Sequence, residues 1–141
     1  NIPHMLPAFW EEIAGRIWIV VTAENQIELH RRASALRIAF GGHVHRSPAV
    51  FGVSAEPLLG PINIKPYKMF NWAIVGGESG KHARYQPEII DWSRDIMRQC
   101  RWSNAAFHLK QMGSGGPWKH SKGGDPSEWP EDLRIRERPA A

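Results

Sequence analysis

A chain of 141 residues, 42% hydrophobic and 23% charged, fits one folded domain and excludes a disordered or collagen-like polymer. Its formal charge of +4 is compatible with nucleic acid or another anionic partner without demanding one. No stretch approaches the roughly 18–20 apolar residues that span a bilayer, and the lone Cys100 excludes an internal disulfide or a cysteine-only metal cage. A cytoplasmic protein with no membrane partner is therefore expected.

In chain order, residues 1–7 are proline-punctuated and begin without methionine, which reads as a processed or truncated start. A short helix is expected over residues 8–14, broken at Gly15. The first strand, residues 17–22, ends at Glu24-Asn25. Leu29, Ala33, Leu36 and Phe40 then recur at helical spacing, opposite Arg31, Arg32, Ser34 and Arg37, which predicts an amphipathic helix over residues 26–40. Gly41-Gly42 stops it. The second strand, residues 49–54, runs into Glu56-Pro57 and a loop whose prolines forbid a continuous helix. The third, residues 72–75, ends in Gly76-Gly77-Glu78-Ser79-Gly80. Pro87 suits a helix's first turn, and Ile89, Trp92, Ile96 and Cys100 form the apolar stripe that follows, with Asp91/Arg94 and Asp95/Arg98 at i, i+3. The fourth strand, residues 105–109, ends at Lys110-Gln111. Ser127 to Leu133 reads as one helical turn anchored by Trp129.

This order predicts an α/β fold, a mostly parallel four-stranded βα half-barrel of the partial TIM type. It divides into an extension over residues 1–15, the half-barrel over 16–112, and a flexible Gly/Lys-rich segment with a basic tail over 113–141. Exposed sheet edges recruit other chains, and seven tryptophans imply apolar surfaces that need cover. Completion by self-association as a homodimer, or by a missing N-terminal half, is expected.

Ligands gather at the carboxyl ends of parallel strands, which makes Glu24, Asn25, Glu56, Gly76, Gly77, Glu78, Ser79, Lys110 and Gln111 the candidate binding residues. Each has a plainer reading. Asn25 caps a helix, Glu56 pairs with Lys110, and Glu78 is a solvated turn residue. Paired glycines permit positive φ and close backbone approach, and a carboxylate in the turn favours an ammonium or hydroxyl group over phosphate. His43-x-His45 has metal-like spacing but no third ligand, and no nucleophile elbow is present, so neither a metal site nor catalytic residues are assigned.

The runs VTAENQ, SAEPLLGPI, WAIVGGESG and HLKQMG, with SEWPEDL after them, resemble a phage and bacterial family of unknown function that is similar to radical S-adenosylmethionine barrels. The resemblance covers residues 18–133 and the C-terminal half of that barrel; the family's three-cysteine motif has no counterpart here. It implies that this chain ligates no iron–sulfur cluster and performs no radical chemistry alone. It also implies S-adenosylmethionine or a similar nucleoside as the ligand of the strand-end residues. Ala55 and Met112 depart from the family pattern. The competing expectation is a non-catalytic module that binds nucleic acid or a protein through Arg31, Arg32, Lys119, Lys122 and the tail of Arg134, Arg136 and Arg138.

Overall fold

The computed structural model describes residues 5–41 and 46–140; His43 and His45 lie outside them. A short helix α1 (Trp10–Ile13) and a 3-10 turn (Ala14–Arg16) lead into strand β1 (Trp18–Thr22). Helix α2 (Gln26–Phe40), strands β2 (Val50–Ala55) and β3 (Trp72–Gly76), helix α3 (Ile89–Ser103) and strand β4 (Ala106–Gln111) follow. All three strand pairings are parallel and the order is β1-β2-β3-β4. The sheet is not closed into a barrel, in keeping with a half-barrel-like α/β fold.

Period two sorts the strands into two faces. Val53, Ala55, Ala73, Val75, Phe107 and Leu109 are fully buried beneath the helices, α2 on β1 and α3 on β3 and β4. The predicted stripe of α2 is buried at Leu29, Ala33, Leu36 and Phe40, and that of α3 at Ile89, Ile96 and Cys100. Burial pushes the Cys100 thiol up to about 12, which leaves it protonated and inert.

The other face carries no helix. In register it shows a row of Val20, Gly52, Trp72 and Ala106, then a row of Thr22, Ser54, Ile74 and His108. Trp18 and Val20 remain 38% and 39% exposed there. Gly52 puts no side chain between the neighbouring strands, and the rings of Trp18 and Trp72 meet edge to face 5.5 Å apart. His108, 6.2 Å from Trp72, has its pKa lowered chiefly by burial.

Between β2 and β3 the chain runs as an irregular connection, as the prolines dictate, with Leu58, Ile62, Ile64 and Phe70 buried. Gln99 of α3 pins it: Gln99 Oε1 accepts from Ile64 N at 2.6 Å and its Nε2 donates to Ile62 O at 2.9 Å.

The basic tail exposes Arg134, Arg136 and Arg138 but is docked through its backbone. Leu109 N donates to Ile135 O and Glu137 N to Phe107 O, both at 2.9 Å, with an antiparallel bridge between His108 and Arg136. The tail therefore lies along the outer edge of β4. Arg134 donates to the carbonyls of Trp129 and Ser127, and Arg136 to those of Leu109, Lys110 and Gly124. The Gly/Lys-rich segment before it is tied down at several points. Met112 N donates to Gly123 O, Ser114 N to Glu78 O, and Glu128 accepts from Lys119 N and His120 N. The helical turn read over Ser127 to Leu133 is two 3-10 turns, Pro126–Glu128 and Glu131–Leu133, with Trp129 buried between them.

Candidate functional site

Where β1, β2 and β3 end, the open face deepens into a cleft of about 490 Å³ lined by Thr22, Ser54, Glu56, Pro57, Gly77, Glu78, Ser79 and Gln111. Part of its lining follows a local pattern. A hydroxyl at the last strand position on the open face is followed two residues later by a glutamate, Ser54 by Glu56 on β2. Thr22 precedes Glu24 in the same way on β1.

Glu56 is the more buried of the two cleft carboxylates, its side chain 18% exposed against 26% for Glu78. Lys110 Nζ stands 2.8 Å from Glu56 Oε1, and Ser54 Oγ donates to Oε2 at 3.4 Å. The Glu56–Pro57 peptide bond is cis. Lys110 is far more exposed than its partner, at 56%, so the pair is partly screened by solvent.

Glu78 forms the opposite wall. Its carboxylate accepts from Arg84 Nε at 2.8 Å, from Arg84 Nη2 at 3.3 Å and from the Arg84 backbone at 3.1 Å. These bonds to Arg84 lower the Glu78 pKa and keep the carboxylate ionised. Gln111 Nε2 donates to Gly77 O at 3.2 Å, which joins the ends of β3 and β4.

Gly76 and Gly77 do not adopt positive φ, which is found instead at Gly80, Gly113, Gly115 and Gly123. They are required by close approach: a Cβ on Gly76 would lie 2.8 Å from Glu56 Cγ, and one on Gly77 would strike the Met112 carbonyl. The glycine pair thus lets the Glu56 side chain and the loop after β4 converge on the cleft.

Of the residues expected at the site, Glu56, Gly77, Glu78, Ser79 and Gln111 line the cleft, Lys110 reaches it through Glu56, and Gly76 lies under Glu56. Glu24 and Asn25 are not among the lining residues. Asn25 is the N-cap of α2, its side chain accepting from Ile27 N at 3.0 Å and Glu28 N at 3.1 Å. Glu24 supplies a backbone carbonyl to Leu59 N. Thr22 and Ser54 were not singled out from the sequence; the repeated hydroxyl-x-glutamate spacing is the signal that finds them.

The cations expected to contact nucleic acid are largely engaged locally. Arg31 and Arg32 pair with Glu28 at 3.6 and 3.7 Å, and Arg134 and Arg136 hold backbone carbonyls. Among the described residues no group of three or more His, Cys, Asp or Glu side chains could hold a metal ion. No helix among them is long and apolar enough to cross a membrane. A second cavity, of about 460 Å³, lies against α2 between Phe40, Phe51 and Tyr67. Gly41, which precedes undescribed residues 42–45, and Ser47 form part of its wall.

Residues 1–131 match the model of a family described as a protein of unknown function, DUF5131, and the chain belongs to that family. No curated protein and no solved structure matches.

Proposed function

We propose that this member of the family is a ligand-binding half-barrel that takes a small polar molecule into the cleft at the carboxyl ends of its strands. The observation that supports this reading is the convergence of two carboxylates, two strand-end hydroxyls and a carboxamide on one cleft of about 490 Å³ at the end of a parallel sheet where ligands bind. Glu56 and Glu78 contact ammonium or hydroxyl groups of the ligand. Lys110 contacts a carboxylate or phosphate, swinging from Glu56 on its exposed stem.

The proposed kinship is with the C-terminal half of a radical S-adenosylmethionine-like protein, which makes S-adenosylmethionine and related nucleosides the first ligands to try. With one cysteine, buried on α3 and protonated, the chain has no thiolate set for an iron–sulfur cluster. It acts here as a binder and not as a radical enzyme. The test is calorimetric titration with S-adenosylmethionine, S-adenosylhomocysteine and adenosine. Saturable binding that is lost in both Glu78→Ala and Glu56→Gln supports the reading. No heat from any of the three with a folded sample overturns the nucleoside assignment.

A further inference from the structure

The two edges of the sheet differ. On β4 the outward backbone groups of Phe107 and Leu109 are taken by Glu137 and Ile135 of the tail. On β1, Ala23 N donates to Ser54 O and Ile17 O accepts from Ala49 N, so these residues turn their backbone groups towards β2. By alternation, Trp18, Val20 and Thr22 turn theirs outward, where no described residue pairs with them. The strand, WIVVT, carries no charge, proline or bulge, the devices that protect an edge.

We infer that β1 is the pairing edge of a two-fold dimer, in which a second copy of this chain adds its own β1 antiparallel to the first. Because the tail closes β4, a head-to-tail join of β1 to the other copy's β4 is blocked. That contact would give a ring or a filament. One unpaired edge among the described residues leaves isologous pairing, which stops at two.

Charge fixes the register. Centring the pair on Val20 sets Trp18 against Thr22 of the second copy, with both backbone bonds exchanged at each of these positions. It also brings Arg16, just before the strand, beside Glu24 of the second copy, just after it, and the two-fold axis repeats the contact. Arg16 is exposed and Glu24 half-exposed, and neither has an ion pair among the described residues. Opposite charges at the two ends of a neutral strand favour antiparallel self-pairing over parallel, which would set like charges together.

The experiment is light scattering on a size-exclusion column over a dilution series, with circular dichroism as the fold control. The expected mass is twice the 16.0 kDa of the chain. Val20→Pro removes an outward N–H that no internal sheet bond uses, so it gives a folded monomer. Arg16→Glu and Glu24→Arg each weaken the dimer by about tenfold, since each spoils two symmetric contacts, and the double exchange restores it. A wild-type monomer, a polymer, or a dimer unmoved by Val20→Pro and by the charge exchange overturns the inference. The first of these would leave the edge to a strand from a different polypeptide.

Discussion

Gly77 lies so close to Met112 that a Cβ added to it would stand 2.6 Å from the Met112 carbonyl carbon and 2.8 Å from Gly113 N. Both obstacles are backbone, held in place by the Met112 N to Gly123 O bond and by Gly113 N to Lys122 O. At Gly76 the obstacle is the Glu56 side chain, which can swing aside at the loss of its Lys110 contact. Gly77→Ala should therefore cost about 3 kcal/mol or more, and Gly76→Ala about 1–2 kcal/mol. Urea denaturation of the two variants checks the order; equal midpoints would refute the distinction between backbone and side-chain obstruction.

Gln99 is a second point where one side chain holds a long connection. It satisfies Ile64 N and Ile62 O, which belong to buried residues of the irregular connection, and its Nε2 also reaches Asp95 Oδ2 at 2.7 Å. Gln99→Leu keeps the volume but strands a buried donor and a buried acceptor, an expected loss of about 2–4 kcal/mol. The neighbouring surface change Arg98→Ala should stay within about 0.5 kcal/mol. Chemical denaturation of the pair measures this, and a loss in Gln99→Leu no larger than in Arg98→Ala would show that water satisfies the connection.

The strands were legible as short apolar runs that end in a charged or turn residue, and α2 because its buried residues repeat at helical spacing, as at Leu29, Ala33, Leu36 and Phe40. Gln99 was not, because a polar residue on a helix reads as surface until the segment it holds is known. The docking of the tail was not legible for a related reason. Arg134, Arg136 and Arg138 are exposed, as such a run reads, yet Leu133 and Ile135 alternate with them as in a half-buried strand, and Ile135 packs against the core. At the site, residue types marked the strand ends correctly, while the division between Glu56 in the cleft and Asn25 in a helix cap depends on side-chain direction. For the glycine pair both positive φ and close approach were expected; the approach is made by two other segments of the chain, which no local pattern encodes.

The tail also carries a pH dependence. Arg101 Nη2 stands 2.7 Å from Glu137 Oε1, and Glu137 Oε2 accepts from Phe107 N at 2.9 Å. The hydrogen bond from Arg101 leads the causes that hold the Glu137 pKa below its ordinary 4.5. Asp132 is likewise held below 3.8, chiefly by its bond from Arg94 at 2.7 Å. A carboxylate depressed in the folded state binds its proton more readily when unfolded. Its contribution is complete above the unfolded value and is lost as pH falls through the folded one. Stability should therefore begin to decline as pH falls through about 6.5, because burial lowers the His108 pKa and the unfolded chain takes that proton more readily, and decline further below about 4.5, with both carboxylates exposed enough that solvent limits their share. Denaturation midpoints for Glu137→Gln and Asp132→Asn should start lower than wild type at neutral pH and fall less steeply with acid. The double variant should be flatter still, retaining the slope due to His108, lowered by burial, and to Glu78 and Asp125, lowered by Arg84 and by Ser127. Parallel curves for wild type and the double variant would mean that these two carboxylates titrate alike in the folded and unfolded chain.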